Sequence, residues 1–174
     1  MASQDKPRRR DFKLPVKSDK VERFYPLLEA LANRDELNEV LKNRVAKACQ
    51  LLDGNIPLYP NDFVKTSDIG RSMADHDSLD EEALQALETV FSLAGRIVAM
   101  RSFGKVAFFH LQDTSGRMQC YASREDMGEE VYAVFKKFDI GDIVGVTGKL
   151  FRTKTGELTL ACATARLLSK SCLL

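Results

Sequence analysis

Residues 91–123 read FSLAGRIVAMRSFGKVAFFHLQDTSGRMQCYAS and carry the strongest secondary-structure signal in this 174-residue chain. Phe, Val, Ile and small residues dominate the stretch, and apolar and polar positions alternate, which is typical of β-strands. Gly104 and the triplet at 114–116 interrupt the pattern where hairpin turns would lie. The stretch therefore predicts three consecutive strands, over residues 91–103, 105–113 and 117–122.

The sequence after this stretch completes a barrel pattern. Met127, Val131 and Phe135 lie at helical spacing, so residues 126–138 are predicted to form a helix. Two further strands are predicted over residues 143–151 and 157–167. Three strands, a helix and two strands is the order of a five-stranded OB-fold Greek-key barrel, which binds oligonucleotides around its second and third strands. Other small β-barrels also fit the strands, but the helix favours the OB order. Glycines suited to the bends and bulges of such a barrel occur at positions 95, 145 and 148.

The residues before the barrel are predicted to be helical. Apolar residues at helical spacing predict one helix over 20–32 and a second over 34–53. Asn33 and Glu36 have the spacing of a capping box at the start of the second helix, and Gly54 is expected at the C′ position that ends it. The fold class is thus mainly β with α, an OB-fold barrel preceded by N-terminal helices.

The segment between these helices and the barrel has a different composition. Residues 54–77 are rich in turn formers and contain two prolines, which predicts a linker or an extended strap. Ser78 and Glu81 form a second capping-box pattern and predict a short helix over 79–90. We divide the chain into a basic flexible arm over 1–20, a helical segment with a strap over 21–90, an OB domain over 91–171 and a tail over 172–174.

The composition limits the classes of function. The chain has 26 basic and 25 acidic residues, which excludes a simple polybasic or polyacidic protein. Residues 61–90 hold two basic and eight acidic residues, so an acidic middle separates two mildly basic ends. No apolar run approaches the roughly 20 residues that span a bilayer, and the first residues lack a signal-peptide pattern, so we expect a cytoplasmic protein that contacts no membrane. The four cysteines form no CxxC pair, which argues against a zinc site.

The sequence shows no recognisable catalytic motif. His76 lies in the acidic segment and His110 in a predicted strand, and neither fits a catalytic triad. Neither a GxxxxGKS/T phosphate loop nor a GxGxxG fingerprint occurs. His110 alternates with apolar neighbours, so we interpret it as a half-exposed strand residue rather than a ligand. We therefore expect no catalytic residue, no metal and no cofactor in this chain.

Nucleic-acid binding is the function that the predicted barrel favours. An OB surface binds single strands by stacking bases on aromatic side chains and by contacting phosphates with Lys and Arg. Alternation places Phe108 and Phe109 on opposite faces of the second strand. Gln119 shares a face with Tyr121, and its amide offers donors and an acceptor to a base edge. Each residue alone is more simply explained by a structural role, and the signal is the cluster. Its members are Arg96, Arg101, Phe103, Lys105, Phe108, Phe109, Arg117, Gln119 and Tyr121.

Several strings in this region are similar to one known family. Between Leu93 and Ser171 the chain contains AGRI, GKVAFFHLQD, SGRMQ, GEEVYAVFKKFDIGDIVGV, GKLFRTKTGELTL and RLLSKS. In order and content they resemble the anticodon-binding OB domain of bacterial-type class II lysyl-tRNA synthetases, and LFRTKTGEL is especially specific. Upstream, NEVLKNRVAKACQLLDGNIPLYPNDFVKT resembles the N-terminal helix and strap of the same family. The resemblance spans residues 36–171.

The resemblance implies roles for individual residues. In this family the domain holds the anticodon stem-loop of lysine tRNA, whose anticodon is rich in uridine. Phe108 would then stack on the central anticodon base, Gln119 would hydrogen-bond that base and Glu157 would contact an anticodon base. Arg101, near the first hairpin, would supply charge. Beside these four, we expect Lys105 to contact a phosphate.

The resemblance stops before the catalytic domain of the family, to which ATP and Mg would bind. We therefore expect an RNA-binding chain without ligase activity, as a fragment, a truncated product or a free-standing relative, and at most a weak homodimer. Two alternatives stay open: a truncated isoform that acts as a protein-interaction module, and a general single-stranded RNA binder. In the first of these, the N-terminal helices or residues 54–77 would cover Phe108 and Gln119.

Overall fold

The computed structural model describes residues 39–172 together with Pro26 and Ala30, which are both helical. The arm predicted over 1–20 and most of the helix predicted over 20–32 lie outside the described residues, as do the last two residues of the predicted tail. Residues 39–172 form five helices and five strands. In chain order they are α1 (Glu39–Asp53), α2 (Ile69–His76), α3 (Glu81–Ala86), β1 (Phe91–Phe103), β2 (Val106–Gln112), β3 (Arg117–Ser123), α4 (Arg124–Met127), α5 (Glu129–Phe135), β4 (Ile143–Arg152) and β5 (Leu158–Ser169). Among these helices, none is long and apolar enough to cross a membrane.

The five strands close into a barrel with the order β1-β2-β3-β5-β4, and β1 pairs with β4 to complete it. β3 and β5 run parallel, and the other neighbouring strands run antiparallel. β1 has the predicted bounds, and the ends of the other strands lie within two residues of the predicted ones. The prediction of a five-stranded OB-fold barrel preceded by helices is confirmed.

Alternation along β2 shows how the sequence separates core from surface. Ala107, Phe109 and Leu111 are fully buried inside the barrel, whereas Phe108 and His110 lie on the outer face and are half-buried. Since side chains alternate with a period of two, burying Phe109 in the core directs Phe108 outward. The predicted opposite orientation of the two phenylalanines is confirmed. The core is completed by large side chains from the other strands, including Ile97, Met118, Val146 and Leu160.

The helical segment between β3 and β4 differs from the single helix predicted over 126–138. Two short helices, α4 and α5, occur there, and Gly128 separates them with φ 78° and ψ 159°. A residue with a Cβ adopts that conformation only with strain, and the helical turn cannot continue through it. The apolar spacing looked continuous because both helices bury their inner side chains in the same core. These side chains include Met127, Tyr132 and Phe135.

Close backbone approaches explain two of the three barrel glycines. A Cβ at Gly148 would lie 1.9 Å from the carbonyl oxygen of Ala161, where the β4–β5 register shifts. This position is the predicted bulge. A Cβ at Gly95 would lie 2.7 Å from the carbonyl oxygen of Gln112 on β2. Glycine is therefore needed at position 95 because β1 and β2 approach closely there. A residue with a side chain would fit only if the neighbouring backbone moved.

α1 lies within the helix predicted over 34–53, and the proposed cap residues Asn33 and Glu36 lie outside the described residues. Its inner face joins the barrel core through Val45, Ala48, Cys49, Leu51 and Leu52. α1 ends at Asp53, as predicted, but a different residue occupies its C′ position. Asn55, with φ 57°, occupies the left-handed C′ position instead of Gly54, and the Ile56 N–H donates to the Leu51 carbonyl at 2.8 Å. These contacts form a Schellman motif.

Residues 54–77 lie against the barrel, as expected for a strap. The ring of Phe63 fills the space beside Gly145, where a Cβ would come within 2.5 Å of it. The Thr66 N–H donates to the carbonyl of Ser92 at 2.8 Å, which ties the strap to the start of β1. Glycine at position 145 thus makes room for the strap.

The strap contains a helix, α2, that the linker prediction missed. Its first N–H groups bind the turn between β2 and β3: Ile69 donates to Asp113 Oδ2 at 3.0 Å, and Gly70 donates to Ser115 Oγ at 2.8 Å. A Cβ at Gly70 would lie 2.4 Å from the Ser115 carbonyl oxygen, so the two segments touch backbone to backbone. A helix of eight residues is marginal in isolation, and these tertiary contacts stabilise it.

α3 is shorter than the predicted helix over 79–90, and a different residue caps it. The N-cap is Asp80, whose Oδ1 accepts from the Ala83 N–H at 2.8 Å, so the capping box assigned to Ser78 is wrong. Glu81, the other residue of that box, instead accepts from the Arg152 backbone N–H at 2.7 Å. Ser and Asp are both good N-caps. The contact between Glu81 and Arg152 of β4 favours the start of α3 at Glu81 over a start directly after Ser78.

Four charged residues, named here the C-terminal clasp, join α1 to the end of β5: Lys47, Asp139, Asp142 and Lys170. The fully buried Lys170 ammonium donates to Asp139 Oδ2 at 2.7 Å and to Asp142 Oδ2 at 2.8 Å. Lys47 of α1 pairs with the other oxygen of Asp139. Burial raises the pKa of Asp139, but hydrogen bonds from Lys170 and Lys47 outweigh it and leave that pKa below the ordinary value.

Candidate nucleic-acid interface

The outer face of β1, β2 and β3 arranges the candidate side chains in cross-strand rows. In the first row, Phe108 pairs with Arg101 on β1 and with Tyr121 on β3. In the second row, His110 pairs with Gln119 on β3. Residues two apart on a strand share a face, so the sequence places both rows on one surface.

Four residues of these rows line a groove of about 510 Å³, named here the barrel groove: Arg101, Phe108, His110 and Gln119. Four of the five predicted site residues line it, namely Arg101, Phe108, Gln119 and Glu157. Glu157 reaches the groove from the loop between β4 and β5, and Phe103 borders it from the end of β1. Residues more than 50 positions apart in sequence are thus brought into one surface depression.

Lys105 is the predicted site residue that the structure does not place in the groove. It lies in the turn between β1 and β2, because β2 begins at Val106. Its side chain is exposed and borders a neighbouring depression that also includes Tyr121 and Arg124. Two other candidates have different surroundings: Phe109 is in the core, and Arg96 Nη1 donates to the Gly141 carbonyl at 2.7 Å.

Phe108 is flanked on the outer face of the barrel by the ring of Tyr121, which in turn contacts Phe151. Its ring centroid lies 5.0 Å from that of Tyr121 at an interplanar angle of 52°, and Tyr121 lies 6.1 Å from Phe151 in an edge-to-face arrangement. Such contacts hold ring orientations. Phe108 remains half-exposed, and an exposed, fixed aromatic ring on an OB surface is suited to stacking a base.

The polar groups of the groove are also held in place. Gln119 Nε2 donates to Thr159 Oγ1 at 2.9 Å, and the Thr159 hydroxyl donates to the Glu157 carbonyl at 3.1 Å. No described residue donates to the carbonyl oxygen of Gln119, so this oxygen can accept from a ligand. Thr159 was missed by the sequence analysis. It is buried on β5, and only its pairing with Gln119 in the folded barrel reveals its role.

His110 lies in the groove beside Glu157, with 3.8 Å between Nε2 and Oε1. Burial lowers the pKa of His110, Arg117 and Arg101 lower it further, and Glu157 opposes the shift. Together these contributions leave the pKa of His110 below its ordinary value. His110 is half-buried, as expected of a strand residue, but it also lines the groove and was not among the predicted site residues.

Charge in the groove is positive at its rim. Among the described residues, Arg101 and Arg117, which line the groove, form no salt bridge. Arg152, in contrast, donates to the carbonyls of Leu79 at 2.9 Å and Gly156 at 2.8 Å, so its guanidinium stabilises the fold. Unpaired cations around a floor with an aromatic ring and amide groups match the chemistry of a single-stranded nucleic acid.

The strap leaves the groove open. None of the described residues of α1 or of the segment 54–77 lines the barrel groove, and Phe108 and Gln119 are both half-exposed. α2 borders an adjoining depression through Met73 and Asp77. The described residues also contain no group of three or more His, Cys, Asp or Glu side chains that could hold a metal ion.

Comparison with known families agrees with this geometry. Residues 91–168 match the family model described as an OB-fold nucleic acid binding domain, of the tRNA anticodon type. The matched region begins with β1 and ends one residue before the end of β5. This part of the chain is therefore an OB-fold anticodon-binding domain.

The similar proteins are lysine–tRNA ligases. Those of Enterobacter sp. (strain 638) and Citrobacter koseri are each 46% identical over 137 residues, which is 78% of this chain and 27% of the relative. The ligase of Chromobacterium violaceum is 42% identical over 143 residues, or 82% of this chain and 28% of the relative. The chain thus spans about a quarter of the length of these relatives. The resemblance to the anticodon-binding region of the lysyl-tRNA synthetases is confirmed.

Proposed function

We propose that this chain binds the anticodon stem-loop of lysine tRNA and reads its uridine-rich anticodon in the barrel groove. The observation that carries the proposal is the position of Phe108, Gln119 and Glu157 in one groove with Arg101 at its rim. These are the four residues to which the family resemblance assigns anticodon contacts. They meet in one groove although they come from β1, β2, β3 and the β4–β5 loop.

The chemistry of the groove favours uridine over cytidine. A base stacked on Phe108 has its edge directed at groups beside that ring. Gln119 offers a carbonyl oxygen and an amide N–H, and an ionised Glu157 offers only acceptor oxygens. Uracil carries an N–H at position 3, which a carboxylate can accept, whereas cytosine has a bare acceptor nitrogen there. A carboxylate placed at position 3 of the base therefore favours uridine over cytidine.

Recognition and ligation are separate in this proposal. In this proposal the OB domain supplies RNA binding in the cytoplasm, and the ATP- and Mg-dependent step belongs to the catalytic domain that the family resemblance implies. A weak homodimer, or a monomer, is sufficient because the barrel groove is built from one copy of the chain.

Binding of the full chain to a labelled seventeen-nucleotide lysine anticodon stem-loop tests the proposal. Fluorescence anisotropy at two salt concentrations would compare the native loop with a loop whose central uridine is replaced by cytidine. We expect tighter binding to the native loop at both salt concentrations. Equal and strongly salt-dependent binding would indicate a general single-stranded RNA binder, and no binding to either loop would favour a protein-interaction module.

Substitutions at Phe108 show whether the groove is the site. Stacking contributes about 1–3 kcal/mol per base, so Phe108→Leu, which keeps apolar bulk but removes the π face, should weaken binding about 5- to 150-fold. Phe108→Tyr should retain most of the affinity. Gln112→Ala is the matched control because Gln112 is exposed on the same face of β2 but does not line the groove. If Phe108→Leu and Gln112→Ala bind equally well, the RNA lies elsewhere.

A further inference from the structure

One arginine connects the strap with the loop between β4 and β5. Arg152 is the last residue of β4, and its guanidinium contacts three backbone carbonyls in two segments of the chain. On the strap side, Nε donates to the Leu79 carbonyl at 2.9 Å and Nη2 binds the Asp77 carbonyl. On the loop side, Nη1 donates to the Gly156 carbonyl at 2.8 Å. A single side chain thus joins the connection between α2 and α3 to the loop that carries Glu157.

The peptide group between Gly156 and Glu157 is held at both its ends. Its carbonyl oxygen accepts from Arg152, and its N–H, which belongs to Glu157, donates to Thr153 Oγ1 at 3.1 Å. The Glu157 carbonyl accepts from the Thr153 N–H at 3.0 Å. Because the peptide groups on both sides of the Glu157 Cα are held, the direction in which its side chain leaves the backbone is fixed.

The loop has little packing of its own to keep it in place. Residues 154–157 are all exposed. Gly156 has φ 85°, and a Cβ at this position would meet no atom within 4 Å. An exposed segment with few packed neighbours is among the first parts of a protein to open locally. Arg152 supplies a tertiary contact that ties this segment to the rest of the fold.

The strap is itself fixed to the barrel on both sides of this contact. At the start of α2, the backbone binds Asp113 and Ser115 in the turn between β2 and β3. At the start of α3, Glu81 Oε2 accepts from the Arg152 backbone N–H at 2.7 Å. The carbonyls that Arg152 binds lie between these two attachments, so the strap holds the guanidinium in a defined position.

We infer that Arg152 is a positioning residue for base recognition: the strap, through Arg152, fixes the loop from which Glu157 reaches the barrel groove. The inference rests on the proposed function and deepens it. Neither Arg152 nor any described residue before β1 lines the barrel groove, whereas Glu157 does. The strap and Arg152 therefore act on the base through Glu157.

Lysine cannot replace the guanidinium in this role. Three different nitrogens of Arg152 bind the three carbonyls, and arginine presents its donors in a rigid planar fork. A lysine ammonium has the same charge, but its donors all lie on one atom. Arg152→Lys therefore keeps the charge and removes the link between strap and loop, which separates positioning from electrostatic attraction of RNA.

Binding of the native and the cytidine stem-loops to the full chain tests this inference. Anisotropy would compare Arg152→Lys, Glu157→Gln and the double variant with the wild type. The matched control is Arg166→Lys, because Arg166 also binds the strap, through Asp62, but does not line the groove. Hydrogen exchange would measure local opening of residues 153–157. Thermal unfolding would identify a temperature at which every variant is folded.

We expect Arg152→Lys to reduce the preference for the native loop about 2- to 10-fold, the effect of weakening one hydrogen bond to the base. The slope of log affinity against log salt should not change, because the charge is kept. In the Glu157→Gln background, Arg152→Lys should cause no further loss of preference, because the carboxylate that it positions is already absent. Hydrogen exchange within residues 153–157 should be faster in Arg152→Lys than in Arg166→Lys.

The failure of this inference can be told from the failure of the proposed function. If the wild type prefers the native loop and Arg152→Lys keeps that preference, or weakens binding of both loops equally, the positioning role is refuted and the proposed function stands. Additive losses of preference in the double variant would also refute it, since Arg152 would then act on the base by a route other than Glu157. If the wild type shows no preference for the native loop, the proposed function fails and the positioning role fails with it.

Discussion

Replacing Lys170 by Met should destabilise the protein strongly, because Lys170 neutralises two carboxylates of the C-terminal clasp. The side chains of Lys170 and Asp142 are both 0% exposed. Lys170 Nζ lies 2.7 Å from Asp139 Oδ2 and 2.8 Å from Asp142 Oδ2. Met fills nearly the same space without the charge, so the variant leaves Asp142 charged in the interior.

The expected loss in the free energy of unfolding depends on the partners that Asp139 and Asp142 retain in the variant. Removing one partner of a buried ion pair costs about 3–5 kcal/mol. Asp139 retains Lys47, and Asp142 retains backbone N–H donors from Asp139 and Ser171, each at 2.8 Å. We therefore expect the lower half of that range, about 3–4 kcal/mol, out of the 5–15 kcal/mol typical of a domain. The same loss would lower Tm by about 6–16 °C.

Urea unfolding followed by circular dichroism measures this loss. The double variant Lys170→Met/Asp142→Asn is the decisive control because it removes the uncompensated charge as well as its partner. We expect it to be more stable than Lys170→Met alone, whereas Asp142→Asn alone should be less stable than the wild type. A Lys170→Met variant within 1 kcal/mol of the wild type, or one that Asp142→Asn does not improve, would refute the assignment of the clasp as a buried charge network.

Three further predictions concern the groove and the strap. Gln119→Ala should reduce the preference for the native loop over the cytidine loop about 3- to 10-fold, because one hydrogen bond to the base is lost. An equal loss of affinity for both loops in the anisotropy assay would contradict a base-reading role for Gln119. Lys105→Ala should lower the slope of log affinity against log salt by about 0.7 for both loops, since one phosphate contact is lost, and an unchanged slope would exclude that contact. Burial raises the pKa of Asp113, but hydrogen bonds from Ile69, Ser115 and Gly116 bring it below the ordinary value. The stabilisation by Asp113 is therefore complete above about pH 5 and is lost as the pH falls through the folded-state pKa. The stability of Asp113→Asn, measured by urea unfolding, should therefore depend less on acid pH than the stability of the wild type does. Identical pH profiles of the two proteins would exclude this contribution.

The barrel could be predicted from sequence because its signals are local. Alternation fixes which side of each strand faces the core, and Phe109 and Phe108 follow this rule. The hairpin glycine at position 104 has φ 64°, which a turn of this kind requires and other residues rarely adopt. Local patterns of this type identified all five strands and placed Phe108 and Gln119 on one outer surface.

The elements around the barrel could not be predicted in the same way. α2 depends on Asp113 and Ser115, which follow it by about 45 residues, and no pattern within α2 reports them. The start of α3 is decided by Arg152, 71 residues from Glu81. Lys105 was placed in the site by its neighbours in sequence, but the strand begins one residue later and leaves Lys105 in the turn. In each case a distant contact or a shift of one residue decides the position.

The distribution of paired and unpaired cations explains how a chain with a net charge of +1 can bind RNA at a defined place. Arg152 binds strap carbonyls, Arg166 pairs with Asp62 of the strap, and Lys170 is buried in the clasp. Arg152 and Arg166 thus bind the acidic segment 61–90, Lys170 binds Asp139 and Asp142, and none of these three cations is available to phosphates. Arg101 and Arg117 border the barrel groove without acidic partners among the described residues, and phosphates are therefore attracted to the groove. The same charge pattern therefore directs RNA to the barrel groove.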